Sequence, residues 1–100
     1  MVNLNRAIRK AQSSICRFKV CAIGVDKTGD LVVYKTNAPR FPRVGGGIHA
    51  EMALMAQYGS ILKTIILVRT NPRGVLLPIH PCHICKEKAA DLGITIRPMI

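Results

Sequence analysis

The sequence predicts an α/β fold, helices packed on a mixed sheet as a three-layer α/β/α or a two-layer sandwich. Three observations carry that reading. Helical and extended patterns alternate along the chain in the order α-β-β-α-β-α-β. The second half is strand, helix, strand, the pattern that joins parallel strands through a right-handed crossover. One interior segment, Thr64-Ile65-Ile66-Leu67-Val68, is apolar without alternation, as a strand covered on both faces should be.

In the segment from Leu4 to Cys16, Leu4, Ala7, Ile8, Ala11 and Ile15 recur at three- and four-residue spacing, with Arg6, Arg9 and Lys10 on the other side, so an amphipathic helix is expected. Two β-rich runs follow, Phe18 to Asp26 and Leu31 to Lys35, and Asp26-Lys27-Thr28-Gly29-Asp30 between them reads as a hairpin turn. Residues Asn37 to Gly47 hold Pro39, Pro42 and the triplet Gly45-Gly46-Gly47, a composition for an irregular loop. Ile48 to Gln57 is rich in strong helix formers and stops at Gly59, giving a second, largely buried helix. After the apolar strand at 64–68, Asn71-Pro72-Arg73-Gly74 turns the chain. Cys82 to Leu92 reads as a third helix with Cys82 in its first turn and Gly93 as its stop, and Ile94 to Arg97 as a last strand.

A length of 100 residues fits one domain, residues 1–100, with one core. Hydrophobic residues make up 49% and mean hydropathy is +0.25. A domain this small still buries only about two-thirds of its unfolded surface, so association into a homo-oligomer is expected to help it. No apolar run approaches the roughly 18 residues of a membrane span, and Met1 to Arg6 lacks the apolar segment of a secretory signal, so a cytoplasmic protein with no membrane partner is expected. Fifteen Lys and Arg against five Asp and Glu give a net charge of +10. That balance favours a nucleic acid or a phosphorylated small molecule as partner.

The cysteines are Cys16, Cys21, Cys82 and Cys85. With no secretory signal, the tight Cys82-x-x-Cys85 pair reads as metal-binding rather than disulfide-forming. Together with His49 it makes one imidazole and two thiolates, a set that suits zinc. Three protein ligands leave the fourth tetrahedral position for water, as in catalytic zinc sites. Cys82 and Cys85 lie three apart at a helix start, where both sulfurs can face one point and the helix dipole favours thiolate. Glu51, two residues past His49, is placed for proton transfer at that position. Cys16 and Cys21 read as small buried apolar side chains. His80 and His83 flank the cysteines and are the less favoured substrate contacts; His83, between the two ligands, should point to solvent or to the backbone. The glycine triplet lacks the Lys and Ser/Thr of a phosphate-cradling loop, so it reads as a flexible approach to the second helix. Arg40 and Arg43 on the same loop read as solvated charge, with phosphate contact the alternative.

The spacing His49-x-Glu51 followed by Pro81-Cys82-x-x-Cys85 is the signature of the zinc deaminases. With Arg17 to Ala22 before the hairpin, Asn37 after it, Ile66 to Arg69, and Leu92-Gly93-Ile94, the chain resembles the cytidine and deoxycytidylate deaminase superfamily over residues 17 to 96. Its His-Ala-Glu form is similar to the deoxycytidylate and tRNA-adenosine branches, and small bacteriophage deaminases look closest. The resemblance implies a cytidine deaminase-like α/β/α sandwich and hydrolytic deamination of a cytosine nucleoside or nucleotide to the uracil product, with a nucleic-acid editing deaminase as the alternative. It implies Zn2+ on His49, Cys82 and Cys85, proton transfer by Glu51, the Ala50 backbone N–H on the pyrimidine carbonyl, Asn37 on the sugar and Phe18 near the base. Two departures stand out. Cys21 occupies a position where the family's hairpin has Gly, and the sequence ends after the fourth expected strand, before the strand and helix with which many members close the pocket.

Overall fold

The computed structural model describes residues 3–14, 19–37 and 49–99. The first helix, α1 (Leu4–Gln12), starts where the Asn3 side chain accepts a hydrogen bond from the Arg6 N–H at 3.0 Å. It ends four residues earlier than the apolar spacing suggests. At Ser13 the hydroxyl donates to the Lys10 carbonyl, the local bonding by which serine competes with a continuing helix.

The sheet is built around β1 (Lys19–Asp26) and β3 (Leu62–Thr70), antiparallel along their whole length from Lys19 opposite Thr70 to Asp26 opposite Leu62. The outer edge of β1 carries β2 (Val32–Thr36), antiparallel, with Ile23 opposite Tyr34. The intervening turn rests on Gly29 at φ +81° and on the Asp26 carboxylate, which accepts from the Leu31 N–H and the Thr28 hydroxyl. The other edge of β3 is shared. Its first part takes β5 (Thr95–Pro98) in parallel, Thr64 opposite Thr95, and its last two residues take the short β4 (Leu76–Leu77) antiparallel. Among the described residues the sheet therefore has five strands, one more than the sequence pattern counts. A two-residue strand is too short to show alternation. It forms because Asn71, whose side-chain oxygen accepts from the N–H groups of Arg73 and Val75, folds the chain tightly back on β3 with Gly74 at φ +86°.

Alternation on the two central strands decides between two layers and three. Cys21, Ile23, Ile66 and Val68 face Ala7 and Ala11 of α1. Val20, Ala22, Ile65 and Leu67 face the other way, onto Leu54 and Met55 of α2 (Ala50–Tyr58) and Cys85 and Ala89 of α3 (His83–Leu92). The architecture is α/β/α, one helix on one face and two on the other. The small Ala7 and Ala11 make room for the Cys21 side chain, which is fully buried beneath them. At the end of α3, Gly93 at φ +73° lets the Ile94 N–H return to the Ala89 carbonyl at 2.8 Å, the glycine stop anticipated there.

Candidate metal centre

Both helices on the second face start with a residue whose side chain does not cap its own helix. His49 is the extended N-cap of α2 and Cys82 the extended N-cap of α3. Cys82 thus stands just before the first turn, where the sequence pattern places it inside; the extended ψ of 140° before His83 ends the helix there. Cys85 is one turn further along α3 and 1% exposed. The ligand atoms of His49, Cys82 and Cys85 all lie within 4.8 Å of one another, and His49 Nδ1 is 3.4 Å from Cys85 Sγ.

These residues fit a zinc ion. Zinc–sulfur and zinc–nitrogen bonds of about 2.3 and 2.0 Å around a tetrahedron put ligand atoms roughly 3.5–3.8 Å apart, so the set needs only a small contraction to close on a metal. Its electrostatics point the same way. Burial pushes the Cys85 thiol up to about 12, and the Glu51 carboxylate and the Cys82 thiol beside it add to that rise. Acids crowded in this manner want a cation among them, and a divalent metal inverts the effect by holding the thiols as thiolates. The positive ends of two helix dipoles also aim at the cluster.

Glu51, in the first turn of α2, is 4% exposed. Its charge is felt at Cys85. Ala50 is the first residue of α2 and completely buried, so its N–H is among the donors that a helix leaves open at its start.

The other expected contacts are less directly placed. Asn37 follows β2, and its side-chain oxygen accepts from the Val20 N–H while its own N–H donates to the Val20 carbonyl, tying it to the start of β1. Neither bond reaches His49, Cys82 or Cys85. Phe18, Cys16, Arg40, Arg43 and Gly45 to Gly47 lie outside the described residues. His80 is exposed, and His83 turns to solvent as expected, 2.9 Å from Glu87 one turn on. A cleft of about 670 Å³ lies on the outer side of α2 against Lys88 and Leu92 and contains none of the candidate ligands. Sequence reasoning misses Arg69 as a support. Its guanidinium reaches the Pro78 carbonyl at 3.4 Å and ties β3 to the segment that delivers Cys82. A cation directly following the apolar run Ile65 to Val68 is the signal that could have shown it.

No family model and no curated protein matches the sequence. Solved structures do. Cytidine deaminase from Mycobacterium tuberculosis is similar with a TM-score of 0.61 at 25% identity, over 90% of this chain and 74% of that one. Cytidine deaminase from Burkholderia pseudomallei gives a TM-score of 0.64 at 25% identity, over 93% of this chain and 78% of that one. The enzyme from Mycobacterium leprae shares the fold, with a TM-score of 0.65 at 22% identity over 96% of this chain and 87% of that one. The fold is that of the cytidine deaminases. That fold accounts for the geometry above. Helices α2 and α3 flank β3, the chain leaves α2 into β3 and enters α3 from its far end, and so the two helix N-termini meet at that end of the strand. Sites in α/β sheets form there.

Proposed function

We propose that the chain is a zinc-dependent hydrolytic deaminase acting on a cytosine nucleoside or nucleotide, giving the uracil product and ammonia. The observation that carries this reading is the convergence of His49, Cys82 and Cys85 with a buried Glu51 beside them. The likeness to three cytidine deaminases supports it.

His49, Cys82 and Cys85 are the residues that would hold zinc, which when bound acidifies water and polarises the position it attacks. Glu51 receives the proton given up by the attacking water and passes it to the ring nitrogen, and then takes the remaining proton from the hydroxyl left on the ring carbon and delivers it to the departing amine. Water's oxygen ends on the ring carbon that carried the amine, and the amine leaves as ammonia, so atoms and charges balance. The Ala50 N–H holds the pyrimidine carbonyl. Asn37 and Phe18 take the sugar and the base. Burial of Glu51 and Cys85 keeps bulk water out of the proton path, where electrostatic effects are then stronger.

Editing of single-stranded nucleic acid is the second reading, supported by the net charge of +10. A single-domain protein working as a cytoplasmic homo-oligomer completes the proposal. The exposed Ile84 and Val75, 63% and 55% accessible, are apolar surface that association would cover. Among the described residues no helix is long and apolar enough to cross a membrane.

The test is a substrate panel with zinc-loaded protein: cytidine, deoxycytidine, their monophosphates and single-stranded oligonucleotides, read by ammonia release. Turnover of a free nucleoside or nucleotide supports the proposal, turnover of oligonucleotides alone selects the editing reading, and no ammonia from any substrate overturns both.

A further inference from the structure

The charge of the molecule is unevenly placed. Of the five acidic residues, Asp26 and Asp30 sit in the β1–β2 turn, Glu51 in the candidate site, and Glu87 and Asp91 on α3. Helix α1 has none. Its solvent face carries Arg6, Arg9 and Lys10, all exposed, at the i, i+3 and i+4 positions where like charges repel one another. None of the three forms an ion pair with a described residue.

The strip continues beyond the helix at both ends. Arg6 lies over the Tyr34 ring at 4.9 Å from its centre, and the Tyr34 hydroxyl accepts from the Asn3 N–H, which fixes the ring beside the helix start. At the other end the Gln12 side chain donates to the Pro72 carbonyl at 3.1 Å, so the turn carrying the exposed Arg73 abuts α1. The three cations lie between Arg6 and Lys10, about 6 Å of helix axis, and the helix is free of acid along its whole length.

We infer that this face of α1 is a docking surface for single-stranded nucleic acid, lying across the sheet from the metal-capable cluster. A row of unneutralised cations lowers the energy of a polyanion by releasing its counterions. The stacked Arg6–Tyr34 pair adds a flat polar-aromatic surface of the sort on which bases stack. A membrane surface fits less well, because the apolar face of α1, Ala7 and Ala11, is already buried on the sheet and no face is left to insert. A protein partner would need an apolar centre for its interface, and the outward face of α1 offers Asn5, Arg6, Arg9, Lys10 and Ser13. Since α1 packs on one side of the sheet and α2 and α3 on the other, a strand held on α1 is separated by the sheet from the candidate site. The surface tethers the protein to nucleic acid; it does not present a base to Glu51.

The experiment uses a fluorescein-labelled single-stranded DNA 20-mer titrated against the whole protein over a range of salt concentrations. The triple variant Arg6→Gln/Arg9→Gln/Lys10→Gln should bind on the order of a hundredfold more weakly near 0.1 M salt, and its log–log salt slope should be shallower by about 2, at roughly 0.7 for each phosphate that is no longer neutralised. The control Lys86→Gln/Lys88→Gln on α3 should keep the parent slope. An unchanged melting temperature shows that the triple variant is folded. The double variant Arg9→Gln/Lys10→Gln, which spares the Tyr34 contact, should show about two-thirds of the slope change. Parent-like affinity in the triple variant overturns the inference. So does an equal loss in the α3 control, or binding of poly-glutamate or of phosphatidylserine vesicles as tight as that of DNA.

Discussion

Cys85 Sγ stands 3.4 Å from His49 Nδ1 although 36 residues separate the two along the chain. The distance is set by β3, which carries the chain from the end of α2 to the point where α3 begins. Each residue alone is ordinary. Cys85 is a buried small side chain and His49 an exposed helix N-cap; it is their meeting beside Cys82 that makes a site.

Metal content is the first consequence. About one zinc per chain is expected, and Cys85→Ser or Cys82→Ala should bring it close to zero after dialysis, because either change leaves only two ligands. Elemental analysis of the dialysed proteins measures this. Chelation of the parent should also lower its melting temperature, since metal binding contributes folding free energy. Cys21→Ala, on the other side of the sheet, should keep its zinc.

Gly24 tests the packing that holds α2 in place. A methyl group there would lie 3.0 Å from a Leu62 methyl, 3.0 Å from a Val33 methyl and 3.3 Å from a Leu54 methyl. Each is the movable end of a side chain, but they close in together on one buried strand position. Gly24→Ala should therefore destabilise by about 1 kcal/mol, at the low end of the cost of overpacking. Thermal or urea unfolding of the two proteins compares them.

Cys21 gives the stability a pH dependence. Burial pushes its thiol up to about 12 from an ordinary value near 9, against smaller opposing effects of Lys10 and a backbone hydrogen bond from Lys35. Below pH 9 the thiol is protonated in both states and has no effect on the balance. Between pH 9 and about 12 the unfolded chain ionises while the folded one does not, so stability falls with rising pH at up to about 1.4 kcal/mol per unit. Cys21→Ala should unfold with a correspondingly weaker alkaline slope, seen as the difference between the two proteins in urea titrations from pH 8 to 11. In the folded parent at neutral pH the same thiol should resist alkylation.

The α/β/α fold and the metal-capable cluster are both legible in the sequence. His49, Cys82 and Cys85 stand out because metal chemistry demands particular residue types at particular spacings, and the structure brings the ligand atoms of these three side chains within 4.8 Å of one another. The unalternating apolar run Ile65 to Val68 reads correctly as a strand covered on both faces, but which helix covers which face is not legible, and only the packing of Ile66 and Val68 under α1 and of Ile65 and Leu67 under α2 and α3 shows it. Strand β4 escapes notice because Leu76 and Leu77 owe their pairing to the Asn71 turn rather than to their own pattern. The end of α1 is misjudged for a similar reason. Ile15 continues the apolar spacing, yet Ser13 offers the backbone a local bond that stops the helix first.

Glu51 separates a catalyst from a scaffold. A carboxylate in the first turn of a helix often does no more than meet the dipole, an effect of roughly 0.3–1 kcal/mol at an exposed position. Glu51 is not exposed: it is 4% accessible and raises the Cys85 thiol by its charge. A charge set beside a metal-capable cluster is a different placement from a solvated first-turn carboxylate. Glu51→Gln keeps its size and hydrogen-bonding capacity while removing the base. If the residue moves protons, the variant should hold as much zinc as the parent and melt at the same temperature or slightly higher. Ammonia release should fall by a hundred- to ten-thousand-fold, the range that general acid–base catalysis contributes, and toward the upper end because the one group serves successive transfers. If it serves only the helix, the melting temperature should drop and turnover stay near the parent rate. Zinc content, melting temperature and ammonia release measured on this one variant decide between the two roles, and a zinc-replete Glu51→Gln protein that turns over as fast as the parent would remove Glu51 from the mechanism.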